Sequence, residues 1–299
     1  MDTSLKISAA DLGTNTLKVT HATRFDDGAL TNMLHASETV RLGFNLANTG
    51  QIEPHRMDAC LRFLKEQEAI GRAYGSSDFV GVATEALRVA SNGSELVERI
   101  HSETGWKIEI ITGTREAELT YQGLADQVPE GGDCAIVDIG GGSTEIVVVR
   151  AGKVELQESL AVGSGRLADR FFDSDPPGYP AELLAIEAAH EVISEGIPND
   201  LRVGYVMLAG GSGLFMNQLI EQLWTSPPFD TDTLQALAEH LAGVKADDTV
   251  NRIGIPHARA LVLPASVAVG VAIMERFEAK EAAGVPSGIR MGLIREFGR

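Results

Sequence analysis

Two stretches of the chain share one pattern: an apolar run ending at an aspartate, a short Gly/Ser/Thr turn, and a second β-branched run. They are Ile7-Ser-Ala-Ala-Asp-Leu-Gly-Thr-Asn-Thr-Leu-Lys-Val-Thr20 and Cys134-Ala-Ile-Val-Asp-Ile-Gly-Gly-Gly-Ser-Thr-Glu-Ile-Val-Val-Val149. Glycine supplies the turn geometry and the flanking Val, Ile and Thr favour extended backbone, so each reads as a strand, a turn and a strand. Between them, the spacing predicts an extended segment over 29–42, a helix over 54–74, a strand over 78–84, a helix over 94–104, a strand over 107–111 and a helix from 114 to about 125. After the second hairpin come a strand over 153–162, helices over 165–172 and 181–195, and a strand over 202–209. That strand ends in Gly210-Gly211-Ser212-Gly213 before another helix. Two hairpins of one design predict an α/β protein of two domains built on one plan, residues 1–125 and 126–299, with the border in the Pro/Gly-interrupted stretch 123–133.

Composition narrows the function without naming it. With 299 residues, 44% hydrophobic and 22% charged, the chain can fill two cores. Its net charge of -17 argues against a nucleic-acid partner, whose phosphates call for a basic surface. No basic stretch leading into an apolar one opens the chain, so no signal peptide is expected. The most apolar segment, 258–274, holds Pro264 and begins beside Arg259, which reads as a buried helix rather than a membrane span. Cys60 and Cys134 are far apart and lack metal-ligand spacing, as in a protein of a reducing cytoplasm.

The turns carry the candidate chemistry. Asp138 to Thr144 is followed by a strand, so it fails the context of a dinucleotide-binding turn, and it lacks the Gly-Lys-Ser/Thr of a P-loop. It can still offer backbone amides and the Ser143 and Thr144 hydroxyls to a phosphate. One such turn alone is equally well a plain β-hairpin. The pairing with Asp11-Leu-Gly13-Thr14-Asn15-Thr16 changes this, because each turn sets a carboxylate at a strand end beside amides and hydroxyls. If the two domains face each other, these turns form opposite walls of a cleft in which amides hold phosphate and carboxylates hold a hydrated Mg²⁺ or Mn²⁺. Gly210 and Gly211 precede a helix and add a third anion site.

Further segments make a resemblance specific: Arg41-Leu-Gly43, Ala83-Thr-Glu-Ala-Leu-Arg88, Ile111-Thr-Gly-Thr-Arg-Glu-Ala117, Ala209-Gly-Gly211, Ala258-Arg-Ala-Leu-Val-Leu-Pro264 and Ser287-Gly-Ile-Arg-Met-Gly292. With Asp138-Ile-Gly-Gly-Gly-Ser-Thr-Glu145, they resemble the Ppx/GppA family of exopolyphosphatases and guanosine pentaphosphate phosphohydrolases. The resemblance implies two duplicated ribonuclease H-like domains of the actin, sugar kinase and Hsp70 ATPase type, facing an interdomain cleft, and a homodimer. It assigns water activation to Glu116, phosphate contact to Arg88, and metal association to Asp138 and Glu145, with Asp11 contributing. Gly13, Thr14, Asn15, Gly140, Gly141 and Ser143 match its phosphate-binding turns. From the residues alone, Glu116 is equally a helix-start glutamate suited to the macrodipole, and Glu118 fills that part as well. Lys18 reads as solvent-facing, and Arg88, Arg166, Arg259 and Arg290 as members of a basic track. The chain departs from the family at Arg115, at Phe44-Asn45 and at Ala260-Leu261. The implied substrate is inorganic polyphosphate, with guanosine pentaphosphate as the alternative and a non-catalytic phosphate sensor as another.

Overall fold

The predicted hairpins supply the central strands of two five-stranded mixed sheets in a computed structural model that describes residues 4–129, 131–286 and 288–298. In the first sheet, β1 (Ser4–Leu12), β2 (Thr16–Phe25) and β3 (Leu30–Thr39) form an antiparallel meander. Strands β4 (Asp78–Ala83) and β5 (Lys107–Ile110) join β1 in parallel, giving the order β3-β2-β1-β4-β5. The second sheet repeats this plan with β6 (Cys134–Ile139), β7 (Thr144–Arg150), β8 (Lys153–Leu160), β9 (Tyr205–Ala209) and β10 (Glu281–Val285), in the order β10-β9-β6-β7-β8. Read from the opposite edge, the two orders are the same. The α/β duplication read from the hairpins holds.

The chain divides into two compact units, Met1–Leu124 with Gly288–Arg299, and Ala125–Ser287. The expected border lies within a residue of the first division, but assigning everything after 125 to the second domain is corrected. Helix Ile289–Glu296 returns to the first unit. The reason is the period-two face pattern of β1: Ala10 and Leu12 pack on one side with Met57, Leu61 and Leu64 of helix Pro54–Tyr74, whereas Ile7 and Ala9 need cover on the other. Ile294 covers Ile7, Ala9 and Ala22, while Ile289 joins Val82, Ile111 and Leu119.

That return explains the glycines of the last motif. A Cβ on Gly292 would stand 2.1 Å from the Leu119 carbonyl oxygen, and one on Gly288 would stand 2.2 Å from that of Thr120. Helix Gly113–Leu124 and the final helix can cross at this distance only where no side chain intervenes. Ser287 of the motif lies outside the described residues.

In the second unit one continuous core surrounds helix Leu263–Phe277. The stretch His257–Phe277 is long and apolar enough to cross a membrane by length and composition, yet 89% of its most apolar window is buried, as in a core helix. Both thiols are free and buried. Burial pushes Cys60 up to about 12 and Cys134 up to about 11, so neither is a nucleophile at neutral pH.

Candidate active site

The first unit assembles its chemistry at the ends of β1 and β4 and at the start of helix Gly113–Leu124. Asp11 lies one residue from the end of β1 and is buried, and cross-strand Lys18 approaches it with Nζ 3.8 Å from Oδ2. Lys18 is therefore not the solvent-facing residue its alternation suggested. In the turn that follows, Gly13 is obligatory because a Cβ would stand 2.9 Å from the Thr16 carbonyl oxygen. The Arg41-Leu-Gly43 segment braces this turn, its amides at Arg41 and Gly43 donating to the carbonyls of Asn15 and Thr14. Thr14 Oγ1 donates to Glu85 Oε2 at 3.2 Å, so Glu85 of the Ala83-to-Arg88 motif, not singled out in the sequence, belongs to this cluster.

Helix Gly113–Leu124 opens where Thr112 caps it: Thr112 Oγ1 accepts from the Arg115 amide and the Thr112 carbonyl from the Glu116 amide. This places Glu116 inward, 5% exposed, with its Oε2 3.6 Å from Arg88 Nη1. The same Nη1 donates to the Ile111 carbonyl at 2.7 Å, which anchors the guanidinium beside the carboxylate. Glu118, its rival in the sequence, is exposed and held by Arg115 at 2.6 Å. Arg115 also bonds Glu296 of the final helix, so this departure from the family pattern ties two helices of the unit together. The departure at Phe44 makes similar local contacts, the guanidinium carbons of Arg41 and Arg56 lying 4.8 and 4.6 Å from its ring centroid.

In the second unit a single cross-strand row carries the acids. Asp138 on β6 pairs with Glu145 on β7, and Ala209 of β9 flanks Asp138 on its other side. Gly140 repeats the construction of Gly13, its missing Cβ 2.8 Å from the Ser143 carbonyl oxygen. The carbonyls of Gly140, Gly141 and Gly142 are taken up by Ser164 and Arg166 at the start of helix Ser164–Phe171. Gly210 has φ +80, and a Cβ there would stand 3.2 Å from Asp138 Oδ1. One on Gly211 would stand 2.9 Å from Arg259 Nη2. The start of helix Gly210–Leu223, Asp138 and Arg259 thus meet in one place. Burial lowers the Arg259 pKa, and the Asp138 carboxylate opposes that shift.

Two sequence readings change at the hydroxyls. Thr144 Oγ1 donates to the Val162 carbonyl at 2.6 Å and is fully buried, so it serves the fold and not a ligand. Ser143 Oγ donates to Glu145 Oε1 at 2.8 Å, which commits its only proton to the carboxylate. Of the arginines read as a basic track, Arg290 is buried with Nη1 toward the Val19 carbonyl, and Arg166 donates Nε to the Gly142 carbonyl.

Among the described residues no three His, Cys, Asp or Glu side chains form a ready cation cage. Asp138 and Glu145 are nonetheless hard oxygen donors on one face of the sheet. Such a pair suits Mg²⁺, which keeps several waters and takes one or two carboxylates with substrate phosphates.

Comparison with known proteins matches residues 22–297 to the Ppx/GppA phosphatase family. The chain is similar to Exopolyphosphatase 1 of Mycobacterium leprae, with 24% identity across 97% of this chain and 88% of that protein. A crystal structure of the Aquifex aeolicus Ppx/GppA family member superposes with a TM-score of 0.79 at 24% identity, covering 98% of this chain and 97% of that one. An exopolyphosphatase structure from Cytophaga hutchinsonii gives 0.86 at 23% identity, covering 97% and 96%.

Proposed function

The chain belongs to the Ppx/GppA phosphatase family of phosphoanhydride hydrolases, and we propose that it releases the terminal phosphate of inorganic polyphosphate by attack of water. The observation that carries this reading is Glu116: a buried carboxylate beside an anchored arginine, while the neighbouring Glu118 is exposed and bound to Arg115. In the reaction Glu116 orients a water and accepts its proton as the oxygen attacks the terminal phosphorus. The bridging P–O bond breaks, leaving orthophosphate and a chain one unit shorter. Arg88 keeps Nε and Nη2 without hydrogen-bond partners among the described residues, and these can grip two phosphate oxygens. In the first unit the amides of the Gly13–Asn15 turn, and in the second those of the Gly140–Gly141 and Gly210–Gly211 turns, are suited to phosphate oxygens. Asp138 and Glu145 of the second unit would hold Mg²⁺ or Mn²⁺, a cation that would supply charge neutralisation at a phosphoryl group, and Asp11 of the first unit is a further hard oxygen donor.

A homodimer in a reducing cytoplasm completes the proposal, the buried free thiols being consistent with that compartment. The test is phosphate release by purified protein from polyphosphates of several lengths, guanosine pentaphosphate and ATP, at matched terminal-phosphate concentration with Mg²⁺ or Mn²⁺. Polyphosphate is expected to be preferred. A specificity constant for guanosine pentaphosphate about ten times that for every polyphosphate, some 1.4 kcal/mol, would assign the nucleotide instead.

A further inference from the structure

The row of acids in the second sheet does not end at Glu145. Strand β8 continues it, with Ser159 opposite Glu145 in the β7–β8 register. Ser159 Oγ donates to Glu145 Oε1 at 2.8 Å, and Ser143 Oγ donates to the same oxygen at 2.8 Å. The two donors come from different places, one from the turn after β6 and one from the neighbouring strand. Glu145 is 2% exposed, so these hydroxyls stand where water would otherwise solvate the charge.

We propose that Ser159 is a positioning residue that aims the Glu145 carboxylate at the divalent cation. This rests on the cation-assisted reading above. A glutamate has three rotatable side-chain bonds, and one hydrogen bond leaves its carboxylate plane free to swing. Two donors meeting at Oε1, one from the turn after β6 and one from the cross-strand position on β8, restrict that rotation and with it the direction of Oε2. Each serine has one hydroxyl proton, and both are spent on Oε1. Ser143 therefore acts here as an orienter of Glu145, and phosphate contact at this turn falls to the backbone amides. Outer hydrogen bonds of this kind characteristically cost a metal site about 10–100-fold in affinity when removed.

The experiment compares wild-type protein with Ser159→Ala, reading Mn²⁺ affinity of the substrate-free protein by electron paramagnetic resonance. Turnover of polyphosphate over a Mg²⁺ titration is measured in parallel. Ser159→Ala is expected to weaken Mn²⁺ about tenfold and to raise the half-saturating Mg²⁺ by a similar factor. KM for polyphosphate at saturating Mg²⁺ should stay within about twofold. Because Ser159 lies in a strand, the pair Ser159→Thr and Ser159→Val holds shape nearly constant while changing only the hydroxyl. Thr should bind Mn²⁺ as the wild type does, and Val should behave as Ala does. Ser143→Ala should reproduce the metal defect, and the double variant should fall short of the product of the two single effects. Equal Mn²⁺ affinity in the Thr and Val variants would overturn the proposal, as would a raised KM with metal binding intact. Undiminished wild-type turnover in excess EDTA would instead remove the cation-assisted reading, and this proposal with it.

Discussion

Glu116 and Glu182 look alike as residues: each is an acid in the first turn of a helix, where the macrodipole welcomes it. Their surroundings separate them. Glu116 stands beside Arg88, and its loss as a general base should cost turnover about 10²–10⁴-fold in Glu116→Gln with polyphosphate binding retained. Glu118→Gln should stay near wild type, and equal losses in both variants would move the base elsewhere. Glu182 is 0% exposed, and neither carboxyl oxygen has a hydrogen-bond partner among the described residues. Burial pushes its pKa up from 4.5 to about 8. The folded state therefore keeps a proton that the unfolded state releases, and stability falls as pH rises from about 4.5 to about 8. The penalty at the upper end is about 5 kcal/mol at most. Melting temperature measured across that window should fall less steeply in Glu182→Gln than in wild type. Parallel slopes would show that the carboxyl ionises without cost.

At the level of elements, the glycines do two different jobs. Gly210 combines φ +80 with a Cβ position 3.2 Å from Asp138 Oδ1, so a side chain there strains the backbone and crowds an acid of the proposed cation site. Gly210→Ala should cost about 1–3 kcal/mol in denaturant unfolding and raise the Mg²⁺ requirement. Gly292 is helical and unstrained, but it sits where the final helix crosses helix Gly113–Leu124. Gly292→Ala should destabilise by about 1–3 kcal/mol through overpacking alone, without a shift in Mg²⁺ requirement at temperatures where it is folded. A metal phenotype in Gly292→Ala and none in Gly210→Ala would reverse these roles.

For the whole molecule, the charge of -17 sets a repulsive average field for any polyanion. Each unit holds an arginine beside an acid, Arg88 by Glu116 in the first and Arg259 by Asp138 in the second, and such a guanidinium acts only over short reach. Each further phosphate of a long chain meets the average field instead. Specificity constants are therefore expected to be higher for short and medium polyphosphates than for very long ones at matched chain ends. A steady rise with length would reveal a basic path and overturn this expectation.

Much of this protein was written locally and could be read locally. The hairpins, helix Pro54–Tyr74 and the duplication follow from β-branched runs, Pro and Gly punctuation and the 3.6-residue period, which depend on near neighbours in the chain. The acids Asp11 and Asp138 were legible for the same reason, because each stands one residue before the end of a strand that leads into a glycine turn. Tertiary structure decided what local chemistry leaves open. It buried Glu116 against Arg88 while leaving Glu118 exposed, and it directed the Ser143 hydroxyl to Glu145. Ser159 reached Glu145 through a register that sequence spacing does not encode. The final helix returned to the first unit because the second face of β1 needed cover, a demand set by packing between segments far apart in the chain.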